Sequence, residues 1–131
     1  MKGFYMLAVN DNSKNKSAEL NNAMAFCYGT EHYYTNPMLN FKYTDGVKTF
    51  CEIAQSYWLL DIINSISRLY KRMHQDLIII KLIVNQDNKA SISFEDTLGI
   101  FFSQIISFTD CPKGEWMFYF NDNVFFWNGE Y

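Results

Sequence analysis

Three cysteines and two histidines are the side chains of this chain best suited to metal binding or nucleophilic attack. Zinc sites announce themselves by closely spaced ligand pairs. Cys27, Cys51 and Cys111 are widely separated, and His32 and His74 form no such pair with them or with each other. No metal or cofactor is therefore expected. Cysteine–histidine catalysis needs a base beside the thiol and a third group to orient it, and no spacing here supplies either. An odd, scattered set of cysteines suits reduced thiols buried in a core, in a reducing compartment. Glu31, Asp45 and Asp61 remain as carboxylates for hydrolytic chemistry, with Glu31 or Asp61 as the base. Asp45, just after Thr44 at a helix start, is better explained by capping and the helix dipole. No catalytic residue is assigned, and the chain is read as non-enzymatic.

Recognition is the stronger theme. Helical spacing places Tyr57, Asp61, Ser65 and Arg68 on one polar face with Trp58 at its margin, either a recognition strip or a solvated face whose Asp61 bonds the loop around Thr30 and Tyr34. Tyr33, Tyr34, Tyr57 and Trp58 could stack a base, but the nearest cations, Arg68, Lys71 and Arg72, lie about 15 Å along the helix from Trp58. The hairpin over residues 115–128 carries apolar side chains on both alternating sets. A sheet covered by helices on one side normally has a polar second face. The interaction surface is accordingly assigned to Met117, Tyr119, Phe125 and Trp127, with Tyr119 and Trp127 standing for the two sets, since alternation alone does not say which set points outward. Either residues 4–9 cover that face or it mediates association.

Helices and strands must position these groups. Val47, Phe50, Cys51 and Ala54 recur at helical spacing, as do Leu59, Ile62, Ile63, Ile66, Tyr70 and Met73. The second stripe is rotated from the first, so a break is expected at Gln55–Ser56, with Thr44 and Ser56 as caps and a basic end running to His74. An earlier helix starts near Ser17 and stops by Gly29; residues 29–37 read as a loop with anchored tyrosines, and residues 39–43 alternate like a strand. Beyond residue 76 the period becomes two. Residues 77–96 form a hairpin with Ile78, Ile80, Leu82 and Val84 facing the core, residues 100–108 a third strand, and residues 116–127 a hairpin turning at Asn121-Asp-Asn. The expected fold is α+β: an antiparallel meander of four to five strands with two or three helices on one face, and the strand at 39–43 joining at an edge. Residues 1–16 are expected as a mobile or loosely docked lead-in to one domain over residues 17–131.

The 131 residues are 49% hydrophobic and 18% aromatic, enough for a core. Net charge is −3, and residues 77–131 hold three Lys/Arg against seven Asp/Glu. Nucleic-acid backbone binding draws on clustered cations, so it is not expected. No stretch is long and apolar enough to suggest a membrane span.

Five segments then point to a family: Gly29-Thr-Glu-x-Tyr-Tyr, Tyr43-Thr-Asp-Gly-Val, Tyr57-Trp-Leu-Leu-Asp-x-Ile, Gln104-x-Ile-x-Phe-Thr-Asp-x-Pro and the closing Glu130-Tyr131. Over residues 20–131 the chain resembles an uncharacterised family of short bacterial and phage proteins, a domain of unknown function. The resemblance implies a small cytoplasmic protein of a bacterial host cell, carried by a phage or mobile element, and transfers no activity. The expected function is a protein-interaction module, an inhibitor of a host defence component such as a CRISPR effector, with a protein partner or self-association as a homodimer. The alternative is a nucleotide-sequestering ligand binder.

Overall fold

The structure, a computed structural model, describes residues 16–131. Leu20 and Met24, one turn apart, face inward from a helix over residues 16–25 (α1), so Lys16 already belongs to a helix rather than to the lead-in. The expectations for residues 1–15, including residues 4–9 as a cover, lie outside the described residues. Strands Tyr33–Tyr34 (β1) and Lys42–Thr44 (β2) precede helices Asp45–Ile53 (α2) and Trp58–Leu69 (α3) and a 3-10 turn, Lys71–His74. Strands Ile78–Val84 (β3), Ala90–Asp96 (β4), Gly99–Ile106 (β5), Gly114–Asn121 (β6) and Val124–Trp127 (β7) follow, closed by a 3-10 turn, Asn128–Glu130.

The break between the two helical stripes is present. Gln55 adopts a φ of 53°, which ends the right-handed path of α2 and re-aims the chain into α3. Thr44 caps α2 by accepting the Val47 N–H at 3.5 Å. Ser56 does not cap α3: its buried hydroxyl donates to the Ala54 carbonyl at 2.9 Å, and Tyr57 holds the cap position without a side-chain bond. The basic end also departs from a continuous helix, since α3 stops at Leu69 and the 3-10 turn carries Arg72 to Asp96, in a bidentate pair at 2.6 and 2.7 Å.

Among the described residues, seven strands form one mixed sheet in the order β1-β2-β7-β6-β3-β4-β5. β3, β4 and β5 make the expected meander, but β6 crosses back to pair with β3 instead of continuing beside β5. Burial marks the difference: β6 buries Trp116, Phe118 and Phe120 with Met117 and Tyr119 half-buried between them, as suits an interior place, whereas β5 leaves Ile100, Ser103, Gln104 and Ile105 exposed at the edge. β2 is not an edge strand. It runs parallel to β7, with Lys42 opposite Val124, and β1, expected as loop, forms the edge beside it.

One face of the sheet meets the helices. Ile78, Ile80, Leu82 and Val84 are buried there with Ile92, Phe94, Phe118, Phe120 and Phe125. Phe50 of α2 packs edge-on against Trp116 and Phe118, ring centroids 5.4 and 5.0 Å away. From α3, Leu59, Ile63 and Ile66 are buried, while Ile62, expected inside, is only half-buried at the rim. Each fully buried side chain of this kind contributes about 1.5–3 kcal/mol by leaving water.

Candidate interaction surface

The Asp122–Asn123 turn sets which residues of β6 and β7 share a face of the hairpin. Both residues have positive φ, 52° and 61°, the signature of a two-residue turn that pairs Asn121 with Val124. That register puts Phe118 opposite Trp127 and Phe120 opposite Phe125, on the helix side, and Tyr119 opposite Phe126 on the other. Phe125 is fully buried, and Trp127 is half-buried, packing against Phe118 at 5.4 Å and donating its indole N–H to the Met24 carbonyl at 3.2 Å. The assignment of Phe125 and Trp127 to the interaction surface is therefore corrected: they belong to the core side. Met117 and Tyr119 lie on the outer side, joined by Val124 and Phe126, which the sequence reading did not single out. The two-residue turn was the available signal, because it fixes the register once Phe118 and Phe120 are taken as core.

On this outer face Tyr119 packs against Phe126 at 5.6 Å, and Tyr131 leans on both, at 5.2 Å from Tyr119 and 6.0 Å from Phe126. Ile79 and Ile83 of β3 continue it, opposite Tyr119 and Glu115, with the Lys81–Glu95 pair at 3.1 Å crossing to β4. An open cleft of about 350 Å³ runs along its margin, lined by Tyr33, Thr44, Val124, Phe126, Glu130 and Tyr131 among others.

A hydrogen-bonded hub borders this cleft and follows from the parallel pairing of β2 with β7. Parallel strands end at the same end of a sheet, so the residues after β7 arrive where α2 begins. Glu130 accepts from Thr44 Oγ1 at 2.6 Å, from the Gly46 N–H at 3.0 Å and from the Trp127 N–H at 2.9 Å. A carboxylate at a helix N-terminus takes up unpaired N–H groups and complements the dipole. Gly46 is required for the approach, since a Cβ there would stand 2.6 Å from Glu130 Oε1. Asp45 binds the loop: it accepts from Glu31 N–H at 2.8 Å, His32 N–H at 3.2 Å and Tyr34 Oη at 2.7 Å. Those donors hold its carboxyl at about 2, below the ordinary 3.8.

A family model matches residues 18–131. The chain belongs to DUF6876, a family of unknown function. Neither a curated protein nor a solved structure matches it. In this DUF6876 member, residues from three of the quoted segments, Thr30 to Tyr34, Thr44 to Gly46, and Glu130, meet in the hub, although they are scattered along the chain.

Asp45, not Asp61, holds the Thr30–Tyr34 loop; Asp61 is exposed and has no hydrogen-bond partner among the described residues. Tyr57, Ser65 and Arg68 are exposed with it, Arg68 reaching the Met38 carbonyl at 3.2 Å. Partial burial and then nearby Glu52 push the Tyr57 phenol up to about 12. Tyr34 is already engaged by Asp45, by Tyr43 at 5.6 Å and by Lys48 at 4.6 Å, Trp58 is half-buried against the core, and Tyr33 is exposed beside the cleft. Glu31 is exposed, and it is its backbone that reaches Asp45. Burial pushes the Cys51 and Cys111 thiols up to about 12, far from thiolate at neutral pH. His74 is held between the Ser67 carbonyl at 2.7 Å and Asn123 at 2.9 Å. Among the described residues no group of three His, Cys, Asp or Glu side chains is placed to hold a metal.

Proposed function

We propose that this protein is a non-enzymatic interaction module that binds a protein partner through the outer face of the β6–β7 hairpin. The observation that carries this reading is the Tyr119–Phe126–Tyr131 cluster on the side of the sheet away from the helices. Aromatic residues and methionine are enriched in interface cores, and Tyr119, Phe126 and Met117 are each half-exposed here. The proposed setting is a phage or mobile element in the cytoplasm of a bacterial host, and the proposed partner a host defence component such as a CRISPR effector. That part rests on the family resemblance alone.

A nucleotide-sequestering role fits less well. The cleft beside Tyr33 has aromatic walls, but Glu130 lines it and would repel phosphate. The test is affinity capture from host lysate with the wild type, Tyr119→Lys and Phe126→Lys, alongside thermal melts. Proteins retained by the wild type and lost by both folded variants support the reading. Retention by both variants, or loss only with Asp61→Lys, moves the surface to the polar strip of α3.

A further inference from the structure

The two edges of the sheet differ. β1 is two residues long, too short to template another strand, whereas β5 is eight residues long and its far side has no strand partner among the described residues. Edge strands are normally guarded by charge, proline, bulges or shortness. β5, Gly99-Ile-Phe-Phe-Ser-Gln-Ile-Ile, contains no charged residue and no proline. Its one bulge lies at the Ile100–Phe102 end and leaves residues 102–106 in regular register with β4. Ile105 is 77% exposed, and Ile100 and Phe108 are 64% and 66% exposed along the same edge.

A row of open backbone N–H and C=O groups is satisfied most fully by another strand, and this strand is suited to its own copy. The strand itself carries no charge, so two copies meet there without like-charge repulsion between the paired residues. An antiparallel pairing with a two-fold axis through Gln104 sets Phe102 against Ile106, Ser103 against Ile105 and Gln104 against its twin. Each Gln104 amide can then donate to and accept from the other. We propose that two copies of this chain join through their β5 strands about an axis through Gln104, giving one continuous sheet with seven strands from each copy. The contact is isologous and closes on itself, as a two-fold dimer requires. It is separate from the partner surface on β6 and β7, so either can fail without the other.

Sedimentation velocity on the full chain at micromolar concentration tests the pairing. The wild type should sediment as a dimer. Gln104→Lys and Gln104→Glu each place like charges across the axis and should raise the dimer dissociation constant about tenfold or more. An equimolar mixture of the two variants should recover the dimer, because opposite charges then meet. Gln104 is exposed, so both variants should keep a cooperative melt, lowered only by the stability that dimerisation adds to the wild type. If either unfolds, Ile105→Lys serves in its place and should give a folded monomer. A monomeric wild type, a dimer that survives Gln104→Lys, Gln104→Glu and Ile105→Lys, or variants whose mixture stays monomeric would overturn the proposal. So would a dimer dissociated by Tyr119→Lys and untouched at Gln104.

Discussion

Glu130 and Gly46 depend on one another, and their coupling can be measured. Glu130→Ala should cost about 1–2 kcal/mol by leaving Thr44, Gly46 and Trp127 donors unmatched. Gly46→Ala should cost a similar amount by displacing the same carboxylate, so the double variant should be hardly worse than Glu130→Ala alone. Urea melts of the four proteins check this; additive losses would mean that the two residues act separately. Asp45 gives a pH signature. Its carboxyl is lowered from 3.8 to about 2 in the folded chain, so its contribution is present above pH 4 and is lost as pH falls through about 2. Asp45→Asn should flatten the acid side of the stability curve in that window and leave its slope at neutral pH unchanged. Thiol titration separates the cysteines: half-buried Cys27 should react in the native state, and Cys51 and Cys111 only on unfolding.

The α2–α3 break and the buried stripe of α3 behave as units of backbone and packing. Gln55 holds a left-handed conformation that a β-branched residue resists, so Gln55→Val should cost about 1–2 kcal/mol while Gln55→Gly should be neutral or slightly stabilising. Leu59→Ala and Ile63→Ala should each cost about 2–5 kcal/mol as transfer plus cavity, and Ile62→Ala distinctly less, because Ile62 keeps part of its side chain in water. Denaturant midpoints at unchanged m-value would establish the order; equal losses at Ile62 and Ile63 would rotate α3 from its described seating.

Across the whole molecule, the sheet separates a helix-covered face from one carrying half-exposed aromatics. Phe125→Lys should unfold the protein, since an unpaired charge would sit at a fully buried position. Tyr119→Lys should leave a cooperative melt, because the introduced ammonium can reach water from a half-exposed site. Far- and near-ultraviolet dichroism with thermal melts distinguishes the two. Retention of the native signal by Phe125→Lys would reverse the faces of the hairpin.

Local patterning was enough for much of this architecture. The change from helical period to period two, the interruption at Gln55, the core set Ile78, Ile80, Leu82 and Val84, and both hairpin turns are legible because side-chain direction repeats within a few residues. Strand order was not legible, because β6 beside β3 and β2 beside β7 are pairings between distant segments that no local period encodes. The outer face followed the same division: alternation showed two apolar sets, and the packing of the helices on Phe118, Phe120 and Phe125 decided which of them is covered. The role of Glu130 was the least visible of all. A carboxylate near the end of the sequence gives no local sign of capping a helix, and it does so only because parallel strands deliver β2 and β7 to the same end of the sheet.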